Sequence, residues 1–240
     1  MSPTALVTGG SGGIGQATAL AFADDHDVVV QYYSDETGAE RVVEEIRGDG
    51  GQAMAYQCDV SSRDAVDGLV ERARAKFDRI DVLVNNAGVA PDADTDFVDR
   101  TPKSIDGTLG VNLVGTMYCT QAVVGEMEDR GHGRIVNVAS TAGIHGSPSD
   151  PVYGASKGGM VAFTKSLAKR YTADGVLSNV VAPSVTDTPM LPAERREKAK
   201  ALFPQERIVR PEEVADAIRF ATMDFYDSGK VIEVAGGRYL

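Results

Sequence analysis

The chain has 240 residues, 42% hydrophobic and 25% charged, an ordinary globular composition, and carries a formal charge of −11. Acid is spread along its whole length with no basic run to neutralise phosphates, which excludes nucleic acid as a partner. No stretch approaches the ~20 apolar residues of a membrane span, and Met1, Ser2, Pro3 and Thr4 run into an apolar strand with no room for a signal peptide, so a cytoplasmic protein is expected.

Most of the acid is Asp, and Arg outnumbers Lys two to one. Concentrated salt would screen the self-repulsion of such a surface. A higher thermal midpoint in molar KCl than in dilute buffer is therefore expected, and an unchanged midpoint would remove the idea of a high-salt habitat. The two cysteines, Cys58 and Cys119, are read as structural thiols. His26, His132 and His145 lack metal-ligand spacing, and no metal is expected.

Strands are predicted at 4–7, 27–32, 52–57, 81–85, 133–139, 177–182 and 230–234. Helical runs at 17–23, 37–48, 64–77, 115–130, 152–171 and 212–223 separate them. Short Val, Ile and Leu runs alternating with amphipathic helices imply an α/β fold, a Rossmann-type doubly wound parallel sheet of about seven strands with helices on both faces. One domain over residues 1–240 is expected, with a lid-like insertion at about 184–210.

The first strand leads into Thr8-Gly9-Gly10-Ser11-Gly12-Gly13-Ile14-Gly15 and then at once into a helix. Such a turn brings the backbone close to a pyrophosphate and aims unpaired helix N–H groups at it. Gly9, Ser11, Gly13, Ile14 and Gly15 are therefore candidate dinucleotide contacts. At the end of the second strand stand Tyr32, Tyr33, Ser34 and Asp35, with neither an acid nor a base at the tip. Ser34 and backbone N–H groups can hold the extra phosphate of NADP(H), favoured over NAD(H), whereas Asp35 opposes it if turned inward.

Ser140 ends the strand at 133–139, on the carboxyl edge where such sheets bind ligands. Tyr153 and Lys157 follow, four residues apart on a predicted helix and hence on one face. A phenol of pKa near 10 beside an ammonium is expected to be lowered, making Tyr153 an acid and base near neutrality. The Ser140 hydroxyl would polarise a substrate carbonyl, and Asn112 would hold a water linking Lys157 to solvent. The expected reaction interconverts a ketone and a secondary alcohol.

These residues, with Asp59-Val60, Asn85-Asn86-Ala87-Gly88 and Ala182-Pro183, resemble the short-chain dehydrogenase/reductase family over nearly the whole chain. The resemblance implies that Asp59 and Val60 contact the adenine and that Asn86, Ala87 and Gly88 border the cofactor. It also implies that Tyr153, Lys157, Pro183, Thr186 and Thr188 complete the cofactor site, Thr186 and Thr188 at the nicotinamide amide and phosphates. Within the family the chain looks most like reductases of 3-oxoacyl thioesters, carrier-protein or CoA linked, which are typically homotetramers. The alternatives are a short-chain alcohol, polyol or sugar dehydrogenase and a non-catalytic dinucleotide-binding protein.

Four departures stand out. Gly12 takes the place of a frequent Arg, Ser184 follows Pro183 where Gly is usual, and the stretch 222–228 looks about two residues short. Gly131 and Asp174 stand where reductases of acyl carrier protein present bases, which favours a CoA thioester or small ketone. The substrate is expected above Tyr153, between residues 89–95, 140–148 and 183–204, with Arg195, Arg196 and Lys198 as candidate partners of a CoA phosphate.

Overall fold

A computed structural model describes residues 2–90, 95–191, 193–224 and 227–239. Seven parallel strands form one sheet: β1 (Thr4–Val7), β2 (Asp27–Tyr32), β3 (Ala53–Gln57), β4 (Val82–Asn85), β5 (Gly133–Val138), β6 (Val176–Pro183) and β7 (Val231–Val234). Their order is β3-β2-β1-β4-β5-β6-β7, so the chain reverses direction of growth between β1 and β4. A crevice opens there beyond the carboxyl ends of the strands. The Rossmann-type fold with helices on both faces is the one expected.

The helices are α1 (Gly13–Phe22), α2 (Glu36–Gly48), α3 (Arg63–Phe77), α4 (Pro102–Leu109), α5 (Gly115–Arg130), α6 (Ala142–His145), α7 (Pro151–Tyr171), α8 (Ala193–Lys200) and α9 (Pro211–Ala221). None among the described residues is long and apolar enough to cross a membrane. Successive residues of a strand point to opposite faces, and β1 shows the result: Ala5 and Val7 pack with Phe22 of α1 and Ile218 of α9, whereas Leu6 packs with Leu69 of α3 and Met127 of α5. Both faces are covered, so these strands are continuously apolar instead of alternating.

Helix α4 and the wide π turn Gly110–Val114 that joins it to α5 were not anticipated; a helix was predicted only from residue 115. Thr101 caps α4 by accepting from Ser104 N at 3.2 Å, and Pro102 opens it. Its short length and weakly apolar face hide it from a periodicity reading. Helix α8 is the short solvated helix its charge pattern suggests, with only Ala199 buried.

A buried polar ladder ties α5 and α7 to the sheet. Asn85 Nδ2 donates to Thr120 Oγ1 at 3.1 Å and to Asn137 Oδ1 at 2.8 Å. Asn137 Nδ2 in turn donates to Thr164 Oγ1 at 2.8 Å. Hydrogen-bonded buried polar groups help fix geometry, and although Asn85 Oδ1 has no partner among the described residues, this ladder helps hold α7 in register with β5, just beyond whose end Ser140 lies.

Candidate active site

The glycine turn sits at the mouth of the crevice. Thr8 N donates to Val84 O at 3.0 Å, and Thr8 Oγ1 accepts from the backbone N–H groups of Asn86 and Ala87, each at 3.0 Å. Asn86 Nδ2 donates to the carbonyls of Thr8 and Gly9, both at 3.0 Å. Gln31, buried in β2, accepts from Gly9 N at 2.8 Å and donates to Cys58 O at 2.6 Å. Gln31 escaped sequence reasoning, yet one amide in the otherwise apolar run Val-Val-Val-Gln-Tyr is the signal that marks it.

Helix α1 starts without a side-chain cap and without an acid in its first turn. Its leading N–H groups are therefore left for an anion. A Cβ at Gly12 would meet nothing, whereas one at Gly15 would come within 2.0 Å of the Gly9 carbonyl oxygen. Gly15 thus lets helix and turn pack closely; of the turn residues proposed to bind cofactor, it alone does not line the cavity. Gly15→Ala is expected to spread the turn, costing about 1–3 kcal/mol of stability and weakening dinucleotide binding about tenfold or more. Fluorescence titration checks this, and unchanged affinity would refute the close-packing account.

A cavity of about 950 Å³ runs along the carboxyl edge of the sheet. Gly9, Ser11, Gly13, Ile14, Ser34, Asp59, Val60, Asn86, Ala87, Gly88, Pro183, Thr186 and Thr188 line it, as do Ser140, Tyr153 and Lys157. Val89, Ala90, the turn at Gly146, Ser147 and Pro148, and Met190 and Leu191 complete the part expected to hold substrate. Residues 91–94 and Pro192 of that expected wall, and residues 225–226 of the shortened stretch, lie outside the described residues. Both cysteines are free and buried, with thiols pushed up by burial, Cys58 to about 11 and Cys119 to about 12. That is the inert condition expected of structural cysteines.

Helix α7 begins at Asp150, whose Oδ1 accepts from Tyr153 N at 3.0 Å, followed by Pro151 at the first helical position. The Ser140 hydroxyl donates to Pro183 O at 3.4 Å and accepts from Ala142 N at 3.2 Å, close enough to the Tyr153 phenol to favour its ionised form. Lys157 Nζ lies 5.8 Å from the centre of the Tyr153 ring and donates to Val138 O at 2.8 Å. Gly143 makes this proximity possible: a Cβ there would fall 2.5 Å from the Lys157 carbonyl carbon, so only glycine lets the turn after Ser140 lie against α7.

The expected lowering of the phenol is not what the surroundings of Tyr153 produce. Burial pushes Tyr153 above its ordinary value, the Ser140 hydroxyl opposes that, and the negative charge of Asp150 adds to it. The Lys157 ammonium, pulled down to about 8 by burial, points at the Val138 carbonyl and not at the phenol oxygen. Sequence spacing placed the two residues on one face but said nothing of the desolvation both undergo.

Asn112 is placed more deeply than its neighbours at the site. It lies within the π turn, fully buried, and does not line the cavity. Its Oδ1 accepts from Val89 N at 2.8 Å, and its Nδ2 donates to Val89 O at 3.0 Å and Ser156 Oγ at 3.1 Å. The side chain holds the cavity wall, and its Oδ1 keeps a second lone pair on the side of Gly88 that Lys157 Nζ also approaches. On α8, Arg196 is engaged by Asp187 at 2.8 Å, and neither it nor Arg195 or Lys198 lines the cavity.

The order of the strands, the glycine turn, the uncapped helix start and the crevice at the reversal point define a dinucleotide-binding α/β protein. Residues 3–199 match the family model described as short chain dehydrogenase. The chain is 42% identical over 237 residues to a 3-oxoacyl-[acyl-carrier-protein] reductase of Synechocystis sp., covering 97% of this chain and 95% of that one. It is 39% identical to the 3-oxoacyl-[acyl-carrier-protein] reductase FabG of Thermotoga maritima, covering 97% and 96%. A solved structure of ElxO with NADP bound superimposes with a TM-score of 0.90 at 27% identity, covering 99% of both chains. The chain belongs to the short-chain dehydrogenase family: it is an oxidoreductase acting on CH–OH groups, of a family that binds NAD(P).

Proposed function

We propose that this protein reduces 3-oxoacyl thioesters to 3-hydroxyacyl thioesters with NADP(H), Tyr153 serving as general acid. The observation that carries the reading is that Ser140, Tyr153 and Lys157 line one cavity together with the glycine turn. The thioester assignment draws its support from relatives named as 3-oxoacyl reductases. When bound, the dinucleotide supplies hydride to the carbonyl carbon. The chain's own residues supply the rest: Ser140 orients the carbonyl oxygen, Tyr153 protonates it, and Lys157 contributes positive charge beside the phenol.

NADP(H) is favoured by how β2 ends. Tyr32, Tyr33 and Ser34 put no carboxylate at the strand tip. Asp35, although on the cavity wall, is tied down as the cap of α2, accepting from Gly38 N at 3.0 Å. A CoA thioester fits better than a carrier-protein one. Near Gly131 and Asp174 the cation Arg170 is engaged by both Glu128, at 2.7 Å, and Asp174, at 2.8 Å, which leaves an acidic carrier little to dock on. Residues 184–210, which carry Thr186, Thr188 and α8, serve as the lid of this one-domain enzyme, and a homotetramer is its assembly.

Incubation with acetoacetyl-CoA and NADPH or NADH, followed by nicotinamide absorbance, tests the proposal. Turnover is expected, with kcat/KM about tenfold or more higher for NADPH. Oxidation of short alcohols or polyols with no thioester turnover would establish the dehydrogenase alternative. Tight dinucleotide binding without turnover of either class would show a non-catalytic binder.

A further inference from the structure

Charge is distributed unevenly along the cavity. Its carboxylates, Asp35 and Asp59, follow β2 and β3 at one edge of the sheet, whereas Arg238 follows β7 at the other. Strands β2 and β7 are five steps apart, about 24 Å at ~4.8 Å per step. The glycine turn after β1 belongs to the acidic half, and Ser140 after β5 lies toward the basic half. Arg238 therefore stands at the end of the cavity where substrate, not adenosine, is accommodated.

The guanidinium is held in place but has no charged partner. Arg238 Nη1 donates to Ser184 Oγ at 3.2 Å, and the group lies 5.1 Å from the centre of the Tyr239 ring and 6.0 Å from that of Phe203. No carboxylate among the described residues pairs with it. The acid on β7, Glu233, is taken by His145 Nε2 at 2.7 Å, and the His145 ring stacks on Tyr239 at 4.1 Å. Ser184 itself is buried, and its hydroxyl exists because serine stands here after Pro183. In a chain of formal charge −11, an arginine oriented on a cavity wall without an acid is set up for an anion from outside.

We propose that Arg238, steadied by Ser184, forms an oxyanion subsite that takes a carboxylate or phosphate carried by the substrate away from its reacting carbonyl. The proposal deepens and rests on the thioester reading. Within that reading the oxyanion comes either from the far end of the acyl chain or from the phosphates of CoA. A planar guanidinium meets either one with two parallel N–H···O bonds.

Three substrates separate these sources: acetoacetyl-CoA, a 3-oxoacyl-CoA ending in a carboxylate, and the acetoacetyl thioester of N-acetylcysteamine, which has no phosphate. With Arg238→Met, the kcat/KM ratio of the carboxylate-ended substrate to acetoacetyl-CoA is expected to fall about tenfold or more if the acyl chain carries the anion. If CoA carries it, the ratio of acetoacetyl-CoA to the N-acetylcysteamine thioester falls instead. Ser184→Gly should move the same ratio in the same direction by a smaller factor. Both ratios within about twofold of wild type would overturn the proposal.

Calorimetric binding of glutaryl-CoA, butyryl-CoA and the butyryl thioester of N-acetylcysteamine reads the subsite without turnover. A wild-type preference for an anionic ligand that Arg238→Met abolishes supports the subsite even if no thioester is reduced, in which case only the reaction assigned above fails. Equal binding of the three by the wild type overturns the subsite even if thioesters are reduced.

Discussion

Tyr153→Phe is expected to lower kcat by about 10²–10⁴-fold with little change in the thermal midpoint. Phenylalanine fills the same half-buried volume, and what disappears is the hydroxyl beside Ser140. Burial holds that phenol above its ordinary value, so it is protonated at neutral pH, the state needed to donate to a carbonyl oxygen. The same shift makes the alcohol-oxidising direction, which needs the phenolate, slower at neutrality. Lys157 sets a second limit. Its pKa in the free enzyme is depressed to about 8, so its positive charge is present below that pH and lost above it. The kcat/KM profile for reduction, which reports the free enzyme, is therefore expected to be level near neutrality and to decline as pH rises through about 8. A profile level up to the titration of an ordinary lysine, or a Tyr153→Phe variant with wild-type kcat, would refute the proton-transfer role.

Much of the fold was legible because both of its signals are local. Strands β1 and β2 and helix α5 fall on the residues predicted, and the other strands within two residues at either end. Parallel strands buried on both faces leave dense Val and Leu runs that need no tertiary knowledge to find. The glycine turn and the four-residue spacing of Tyr153 and Lys157 were legible for the same reason. What could not be read depended on partners distant in the chain. Gln31 looks like a flaw in a strand until the turn at Gly9 is brought against it. The bonds of Asn112 to Val89 and Ser156 could not be read from its place in the chain. The protonation of Tyr153 depends on how deeply α7 is sunk against β5, a property of packing that spacing does not encode. Arg238 passes for an ordinary residue near the end of the chain until β7 delivers it to the cavity.

The largest expected effect on stability involves two residues of this distant kind. Arg100, just before α4, and Asp150, at the head of α7, form an ion pair of 3.0 Å with side chains only 3% and 7% exposed. The Asp150 oxygen that faces Arg100 is Oδ2, while Oδ1 caps Tyr153 N at 3.0 Å, so one carboxylate joins the pair to the backbone of the proposed acid. Arg100→Met would strand that carboxylate in a buried site, at an expected cost of about 3–5 kcal/mol, softened by the remaining cap and the positive end of the helix. Asp150→Asn keeps a capping oxygen but removes the charge that faces Arg100, whose guanidinium also donates to Ser104 Oγ at 3.3 Å, so its cost should be smaller. Combining the two removes both charges together, so the double variant should be less destabilised than the sum of the single losses, with a coupling of about 1–3 kcal/mol. Denaturant unfolding of the four proteins measures this. Asp150→Asn also removes the negative charge that helps raise the Tyr153 phenol, so any alkaline limb belonging to that phenol should move to lower pH in the variant. Simple additivity in the cycle, or single losses below about 1 kcal/mol, would mean that the pair behaves as an exposed one and that α7 is held at the site by packing alone.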